Sequence, residues 1–364
     1  MRVILAGGGT AGHINPAIAI ADTIKKHEPD SEFLFVGTKE GMEHILVPKA
    51  GYDIEYVEVK GFKRKLSVEN AAAVFKACTA CLKCRGIIKS FKPDVVVGTG
   101  GYVSGPLLFE ASALGIPTLI HEQNVFAGMT SKMLSPRVDT VCISFEKSRE
   151  RFKKAKNVVL TGNPVREKLF DISPSEARKN LGIGNSPFVV AFGGSLGAQR
   201  LNEVMAEYIK SIKNKDVKVL FATGERGFDD VSKTLGGNVP DGTKIVKYIY
   251  NMDEAMQAAD LLVCRAGAIT LSEINALGKP SVLIPSPNVT DNHQYYNAKA
   301  LSDNGAALMT EEKDLDNESF VRTVDKLLSD KNKLKSMSEK SREMGITNAT
   351  ELIYREILKV SKNG

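Results

Sequence analysis

The sequence lacks any apolar run long enough to cross a bilayer, and it is poor in cysteine. Its 364 residues include only five cysteines. A transmembrane helix needs about 20 consecutive apolar residues. The first glycine cluster follows only a few apolar residues, a stretch too short for a signal peptide. We therefore expect a protein that is made and kept in the cytoplasm, with reduced thiols and no disulfide framework.

Positive charge is concentrated in one part of the chain. The net charge of the whole sequence is +6, whereas residues 60–92 hold nine Lys and Arg side chains against one acid, Glu69. Such a segment suits an anionic surface or a nucleic acid. Its phenylalanines at 62, 75 and 91 do not interleave with the basic residues as a base-stacking platform would. We therefore expect no nucleic acid partner.

Short β-rich runs alternate with amphipathic helical stretches along the whole chain, a pattern typical of doubly wound parallel sheets. The predicted strands are residues 3–6, 33–36, 95–97, 118–121, 141–143, 188–192, 217–221, 244–247, 261–264 and 281–284. Both halves open with a strand and a Gly-rich turn, at residues 7–13 and 193–198. The sequence thus predicts an α/β protein with two Rossmann-like domains that face each other across a cleft.

The domain boundary is expected near residues 162–166. A new helix is predicted soon after, because Ser173-Pro174-Ser175-Glu176 has the form of a capping box with proline at the first helical position. We assign residues 1–163 to the first domain and 164–347 to the second. A helical stretch at 348–364 could pack on either domain.

Gly7, Gly9 and Gly12 form the G-x-G-x-x-G pattern between a strand and a helix, which lets backbone amides approach a pyrophosphate. A dinucleotide enzyme would place an acidic residue at the end of the second strand. Here that strand ends Val-Gly-Thr-Lys at 36–39, so the nucleotide is not expected to be NAD, although Glu40 leaves the possibility open.

His13 follows the third glycine, where a histidine could face solvent or act in the cleft. The positive end of the helix dipole would favour the neutral imidazole, able to accept a proton. Glu273 has two interpretations as well: a cap in Thr270-Leu271-Ser272-Glu273, or a carboxylate that binds a ribose diol.

Two polar segments follow predicted strands. His121-Glu122-Gln123-Asn124 would be costly to bury unless the side chains meet a ligand or one another, and we favour a ligand. Asp291-Asn292-His293-Gln294 either caps a helix or contacts substrate.

Neither possible metal motif is expected to bind a metal. Cys78, Cys81 and Cys84 lie in a helical pattern without a nearby fourth ligand. Asp314-Leu315-Asp316 precedes a helix and is better explained as a cap.

Taken together, seven segments resemble the MurG family, the peptidoglycan N-acetylglucosaminyltransferases of glycosyltransferase family 28. They are residues 7–13, 100–106, 121–124, 163–166, 193–198, 265–273 and 293–294. The resemblance runs almost the full length. The sequence departs from the family pattern at Ala11, where many relatives have glycine, and at His293, where some have glutamine.

The resemblance implies a GT-B fold and an inverting transfer of N-acetylglucosamine from UDP-N-acetylglucosamine. The acceptor would be the C4 hydroxyl of the undecaprenyl-pyrophosphoryl muramyl-pentapeptide, with no cofactor bound in the protein. His13 would be the general base, or else bind acceptor pyrophosphate. Glu273 would bind the ribose, Ser195 the diphosphate, and Arg166 the nucleotide end. The donor contacts carried over are Thr10, Ala11, Gly12, Asn124, Arg166, Ser195, Ile249, Ala268, Ile269, Thr270, Glu273, His293 and Gln294.

A lipid-linked acceptor also gives the basic segment a role. We predict reversible, peripheral binding to the cytoplasmic face of the membrane. Each surface Lys or Arg near anionic lipid adds about 1 kcal/mol to the free energy of membrane binding. The predicted acceptor and membrane residues are Phe62, Lys63, Arg64, Lys65, Tyr102 and Ser104. The alternatives are a UDP-N-acetylglucosamine 2-epimerase or another GT-B glycosyltransferase.

Overall fold

A computed structural model describes residues 1–59, 68–194, 197–212 and 215–362, with the side chains of 68–75 left aside. The chain divides into two compact units. The first comprises Met1–Pro164 and Thr347–Gly364, and the second comprises Val165–Ile346.

The first unit is built on a parallel sheet in the order β3-β2-β1-β4-β5-β6-β7. Its strands are β1 Arg2–Gly7, β2 Glu32–Gly37, β3 Ile54–Tyr56, β4 Val95–Gly100, β5 Thr118–Glu122, β6 Thr140–Ile143 and β7 Val158–Leu160. The interior strand β1 is apolar and fully buried at four successive positions, 3–6. Such a run is expected where helices cover both faces of a parallel sheet.

Helices pack on both faces of this sheet. They are α1 Ala11–His27, α2 Glu43–Lys49, α3 Val68–Phe91, α4 Ser104–Ala113, α5 Met129–Leu134 and, at the end of the chain, α14 Ala349–Lys362. One apolar cluster joins α1 and α14 to the sheet through Ile14, Ile353 and Ile357, all fully buried. The opposite cluster contains Cys84 of α3 and Leu107 of α4. The last helix therefore completes the first unit.

The second unit repeats the architecture with a parallel sheet in the order β10-β9-β8-β11-β12-β13. Its strands are β8 Phe188–Phe192, β9 Lys218–Ala222, β10 Thr243–Val246, β11 Leu261–Cys264, β12 Ser281–Leu283 and β13 Ala307–Met309. Its helices are α6 Pro174–Asn180, α7 Gln199–Ser211, α8 Phe228–Leu235, α9 Met252–Ala258, α10 Ala268–Leu277, α11 His293–Asp303, α12 Asn317–Ser329 and α13 Lys331–Glu343.

The predicted fold class is confirmed, and ten of the strands in the described residues were predicted from sequence. The three that were missed, β3, β7 and β13, have three residues each and lie at sheet edges. The predicted capping box is also confirmed: the Ser173 hydroxyl accepts from the Glu176 N–H, and the Glu176 carboxylate accepts from the Ser173 N–H. Asp316 caps α12 as predicted.

Among residues 1–59, 68–194, 197–212 and 215–362, no helix combines the length and the apolar character that a membrane span requires.

Candidate functional site

The turn between β1 and α1 requires glycine at two positions. A Cβ atom on Gly7 would lie 2.3 Å from the Thr99 hydroxyl and 2.6 Å from the His13 carbonyl oxygen. Gly9 has φ +83°, which L side chains rarely adopt, and a Cβ there would meet nothing within 4 Å. The turn is thus tight on its inner side and open on the outer side, where Thr10 and Gly12 are exposed.

His13 lies half-buried in the first turn of α1. Its Nδ1 is 3.0 Å from the Gly8 carbonyl oxygen. A carbonyl can only accept, so Nδ1 carries the hydrogen, and in the neutral imidazole Nε2 is left as an acceptor. The ring lies against Gly100, where a Cβ atom would come within 3.0 Å of Nε2. A side chain at that position would displace the imidazole.

Glu43 supports this turn and was not predicted. The side chain is 1% exposed at the start of α2. Its Oε2 accepts from the Gly9 N–H at 2.9 Å, and its Oε1 accepts from the N–H and hydroxyl of Thr38 at 2.9 and 2.7 Å. Burial raises the pKa of Glu43, but hydrogen bonds from Thr38 and from backbone N–H groups lower it by more, so the net pKa is below the ordinary value.

Ser104 and Tyr102 differ in their exposure. The Ser104 hydroxyl is buried and contacts the carbonyl oxygens of Ala6 and Gly100 at 2.9 and 2.7 Å. It therefore supports the turn. Tyr102, by contrast, is 56% exposed and accessible to a ligand.

The polar segment after β5 is bonded mainly within the protein. His121 is fully buried, with Nε2 2.9 Å from the Gly162 carbonyl oxygen and Nδ1 3.0 Å from the Gln123 amide nitrogen. Burial lowers the pKa of His121 to about 4, so the ring stays neutral. Glu122 accepts from the backbone N–H groups of Asn124 and Gly128 at 3.1 Å each.

These contacts correct the expectation that the whole segment meets a ligand. His121, Glu122 and Gln123 bind one another and neighbouring backbone, as buried polar groups must if they lack a ligand. Asn124 is only partly buried.

In the second unit, Arg166 and Glu273 form a two-pronged ion pair. Arg166 Nε is 2.6 Å from Oε1 of Glu273, and Nη2 is 3.1 Å from Oε2. The Glu273 side chain is 8% exposed and that of Arg166 46%. The guanidinium thus covers a carboxylate that would otherwise be buried without a partner.

Glu273 does not cap α10. The helix begins at Ala268 with Gly267 as its N-cap, which places Glu273 in the second turn. The capping interpretation of 270–273 is therefore wrong. Ala268, Ile269 and Thr270 form the first turn, where backbone N–H groups lack intrahelical partners.

Gln294 in α11 has a fixed amide orientation. Its Oε1 accepts from the N–H groups of Ala266 and Ser286 at 3.2 and 2.9 Å. The amide NH2 group is therefore the side available to donate elsewhere. His293 Nδ1 lies 2.8 Å from the Thr290 carbonyl oxygen, which it can only approach as a donor.

Other predicted donor residues differ in accessibility. Ile249 is 3% exposed, whereas the neighbouring Tyr250 is 91% exposed. In the β8–α7 turn, Gly197 has φ +81° and a Cβ there would lie 2.3 Å from the Thr223 carbonyl oxygen. Ser195, Phe62, Lys63, Arg64 and Lys65 lie outside the described residues.

Two family profiles cover most of the chain. The glycosyltransferase family 28 N-terminal domain matches residues 3–143, and the family 28 C-terminal domain matches residues 188–353.

Curated relatives match over the full length. The UDP-N-acetylglucosamine–N-acetylmuramyl-(pentapeptide) pyrophosphoryl-undecaprenol N-acetylglucosamine transferase of Acetivibrio thermocellus is 50% identical, with 100% of this chain and 99% of the relative covered. The Clostridioides difficile protein of the same name is 46% identical, with 99% and 89% covered.

Solved structures agree on the fold. MurG of Acinetobacter baumannii has a TM-score of 0.82 at 29% identity, covering 98% of this chain and 99% of that one. The UDP-N-acetylglucosamine 2-epimerase of Neisseria meningitidis has a TM-score of 0.67 at 14% identity, with 99% and 100% covered, a likeness of fold alone. The family resemblance predicted from the motifs is confirmed, and the chain belongs to the MurG family within glycosyltransferase family 28.

Proposed function

We propose that the chain transfers N-acetylglucosamine from UDP-N-acetylglucosamine to the muramyl sugar of a pyrophosphoryl-undecaprenol-linked acceptor in peptidoglycan synthesis. Its full-length relatives at 42–50% identity are named for this reaction. The structural observation that carries the proposal is His13, whose Nδ1 is bound to Gly8 and whose Nε2 remains an acceptor.

In the proposed reaction, the acceptor C4 hydroxyl gives its proton to His13 Nε2 as its oxygen attacks the anomeric carbon. The bond from that carbon to the UDP oxygen breaks, its electron pair leaves with the diphosphate, and the configuration inverts. A base positioned within hydrogen-bond reach typically contributes 10²–10⁴-fold to the rate. No covalent enzyme intermediate is required.

The second unit would bind the donor. The first turn of α10, from Ala268 to Thr270, offers backbone N–H groups at the positive end of a helix, a favourable place for a diphosphate. Glu273 retains acceptor capacity for a ribose hydroxyl, because a carboxylate has about four lone-pair sites and Arg166 approaches each oxygen once.

The donor site proposed here needs no cofactor bound in the protein. Arg166 and the helix N-terminus would stabilise the charge that develops on the leaving diphosphate. Gln294 would donate its amide hydrogens to the sugar. Of the other contacts that the family resemblance implies, Ile249, His293 and Ser195 belong to the second unit, and Asn124 and the turn at 10–12 belong to the first.

Peripheral attachment to the cytoplasmic face of the membrane is the second part of the proposal. In the first unit, α3 packs against α4 and α4 against α5. These helices expose four large apolar side chains: Leu82, Phe109, Met129 and Met133, at 71, 38, 57 and 69%. Arg137 and Lys132 lie over the aromatic rings of Phe109 and Phe126. Apolar side chains amid cations suit an anionic lipid surface.

Label transfer tests the reaction. Radiolabelled UDP-N-acetylglucosamine is supplied with and without the muramyl lipid, and label is followed into lipid and into UDP-N-acetylmannosamine. Label in lipid, dependent on acceptor, is expected. Epimerised donor formed without lipid would favour the 2-epimerase alternative, and no product of either kind would overturn the proposal.

Cosedimentation with anionic vesicles tests the membrane part. Wild type should bind at low salt and less as salt rises, because exposed charges are screened over about 8 Å at physiological ionic strength. Replacing Lys63, Arg64 and Lys65 by Ser, or Leu82 and Met133 by Ser, should release the protein and leave UDP affinity unchanged. Equal sedimentation of all three proteins would exclude both surfaces as the membrane face.

A further inference from the structure

One peptide group connects Glu43 to His13. The N–H of Gly9 donates to Glu43 Oε2 at 2.9 Å, and the carbonyl of Gly8 accepts from His13 Nδ1 at 3.0 Å. This N–H and this carbonyl belong to the same planar, conjugated amide. A hydrogen bond to the carboxylate at one end polarises the amide and makes the carbonyl at the other end a better acceptor.

Glu43 is suited to polarise the amide because its charge is not neutralised nearby. The carboxylate is almost fully buried, and within the described residues its hydrogen bonds come from Thr38, from Gly9 and from its own backbone N–H, with no cation paired to it. Its net pKa lies below the ordinary value, which agrees with an ionised group. A buried negative charge acts over a longer range than an exposed one.

We propose that Glu43 is a positioning residue for His13, which holds the imidazole in its Nδ1–H tautomer and stabilises the imidazolium through the Gly8–Gly9 peptide group. When the acceptor proton reaches Nε2, the positive ring donates more strongly to the Gly8 carbonyl. No proton moves to Glu43. This inference rests on the proposed role of His13 as the base.

A purely structural role for Glu43 is the competing explanation. The bonds to Thr38 join residues only five positions apart and would hold the β2–α2 loop by themselves. The bond to Gly9 instead joins positions 34 residues apart. Only the positioning role predicts that the tautomer of the His13 ring depends on Glu43. The tautomer is therefore the property to measure.

Nitrogen-15 spectra of protein labelled at its five histidines report each tautomer directly. The His13 signals are assigned with a His13→Asn variant. In the wild type we expect the Nδ1–H form at His13 and, as an internal contrast, the Nε2–H form at His121, whose Nε2 faces a carbonyl. In Glu43→Gln the population of the Nδ1–H form at His13 should fall, because the Gly8 carbonyl becomes a weaker acceptor. An Nε2–H form at His13 in the wild type would overturn the proposal even if the variant cannot be folded.

Kinetics provide the second measurement. Glu43→Gln should lower kcat by roughly 10- to 100-fold, with the KM for UDP-N-acetylglucosamine changed by less than about twofold. Thr38→Val removes one donor to Glu43 but keeps its charge and its bond to Gly9, so its kcat should stay within about threefold of the wild type. Equal losses in Thr38→Val and Glu43→Gln would support the structural explanation instead.

Asp139→Asn is the matched control. Asp139 Oδ2 accepts from the N–H and the hydroxyl of Thr118 at 2.9 and 3.0 Å, as Glu43 Oε1 does from Thr38, whereas Asp139 Oδ1 also pairs with Lys156 at 2.9 Å. Thr118 begins its strand, whereas the β1–α1 turn follows the end of one. The control should keep both the kcat and the His13 tautomer of the wild type. If the wild type has no transferase activity, the proposed function is wrong. If the wild type is active and Glu43→Gln has the same spectra and kcat as the wild type, only this inference is wrong.

Discussion

His13 and His121 lie near the carboxyl ends of parallel strands in the same unit, and each approaches a backbone carbonyl through one ring nitrogen. They use opposite nitrogens. His13 binds Gly8 through Nδ1 and is half-buried, whereas His121 approaches Gly162 through Nε2 and is fully buried, with Gln123 at its Nδ1. A histidine near a strand end can therefore be available to a substrate or can contact only the protein. The two cases differ in whether the second ring nitrogen has a partner within the protein.

Removing His13 should give the largest effect of any change considered. We expect His13→Ala to lower kcat by about 100-fold or more, because the attacking hydroxyl would lose its proposed base. UDP affinity and the unfolding midpoint should change little, since the ring makes one hydrogen bond to the protein in the described structure. Steady-state kinetics with isothermal calorimetry for UDP would measure both. A rise confined to the KM for acceptor would mean that His13 binds acceptor pyrophosphate instead.

His121 should affect stability in a pH-dependent way. Burial lowers its pKa from 6.5 to about 4, so the unfolded chain binds more protons between these values. The contribution to stability is complete above pH 6.5 and is lost as pH falls toward 4, a loss of about 3 kcal/mol. Urea unfolding at several pH values should show a flatter dependence for His121→Gln than for the wild type.

The matched control for this experiment is His44→Gln. Like His121, His44 approaches a backbone carbonyl, that of Gly41, but it does so through Nδ1 and is exposed. Urea unfolding of this variant over the same pH range shows what the loss of an exposed imidazole does. If both variants flatten the curve equally, burial of His121 is not the cause.

The difference between the two histidines could not be predicted from sequence. Apolar runs predicted the interior strands, because strands covered on both faces must be apolar throughout. The same runs placed His13 and His121 near strand ends. The partners of His121, however, come from segments as far away as Gly162. Glu43 was missed for the same reason, since its contact with Gly9 depends on tertiary packing.

Glu273 combines the features of the two histidines, because it has both a partner within the protein, Arg166, and a proposed ligand. Glu273→Gln should weaken UDP binding by roughly tenfold, as a charged acceptor for the ribose is replaced by a neutral one. Glu356→Gln is the control: Glu356 is equally buried at 8% exposure and pairs with Lys359 in α14. Calorimetry that finds the same UDP affinity in wild type and Glu273→Gln would remove this residue from the donor site.

Changes at Gln294 should have the smallest effect on activity. Its side-chain oxygen accepts hydrogen bonds from the protein, whereas its nitrogen is the proposed donor to the sugar. Gln294→Glu keeps an oxygen to accept from Ala266 and Ser286, so the unfolding midpoint should hold. The NH2 donor becomes a carboxylate oxygen, which cannot donate to a sugar. We expect the KM for UDP-N-acetylglucosamine to rise roughly 3- to 10-fold, while UDP alone binds as before. Gln294→Met removes both functions and should also lower stability. An equal loss of affinity for UDP and for UDP-N-acetylglucosamine in Gln294→Glu would place its contact on the nucleotide, and an unchanged KM would leave Gln294 with the structural role that His121 has in the first unit.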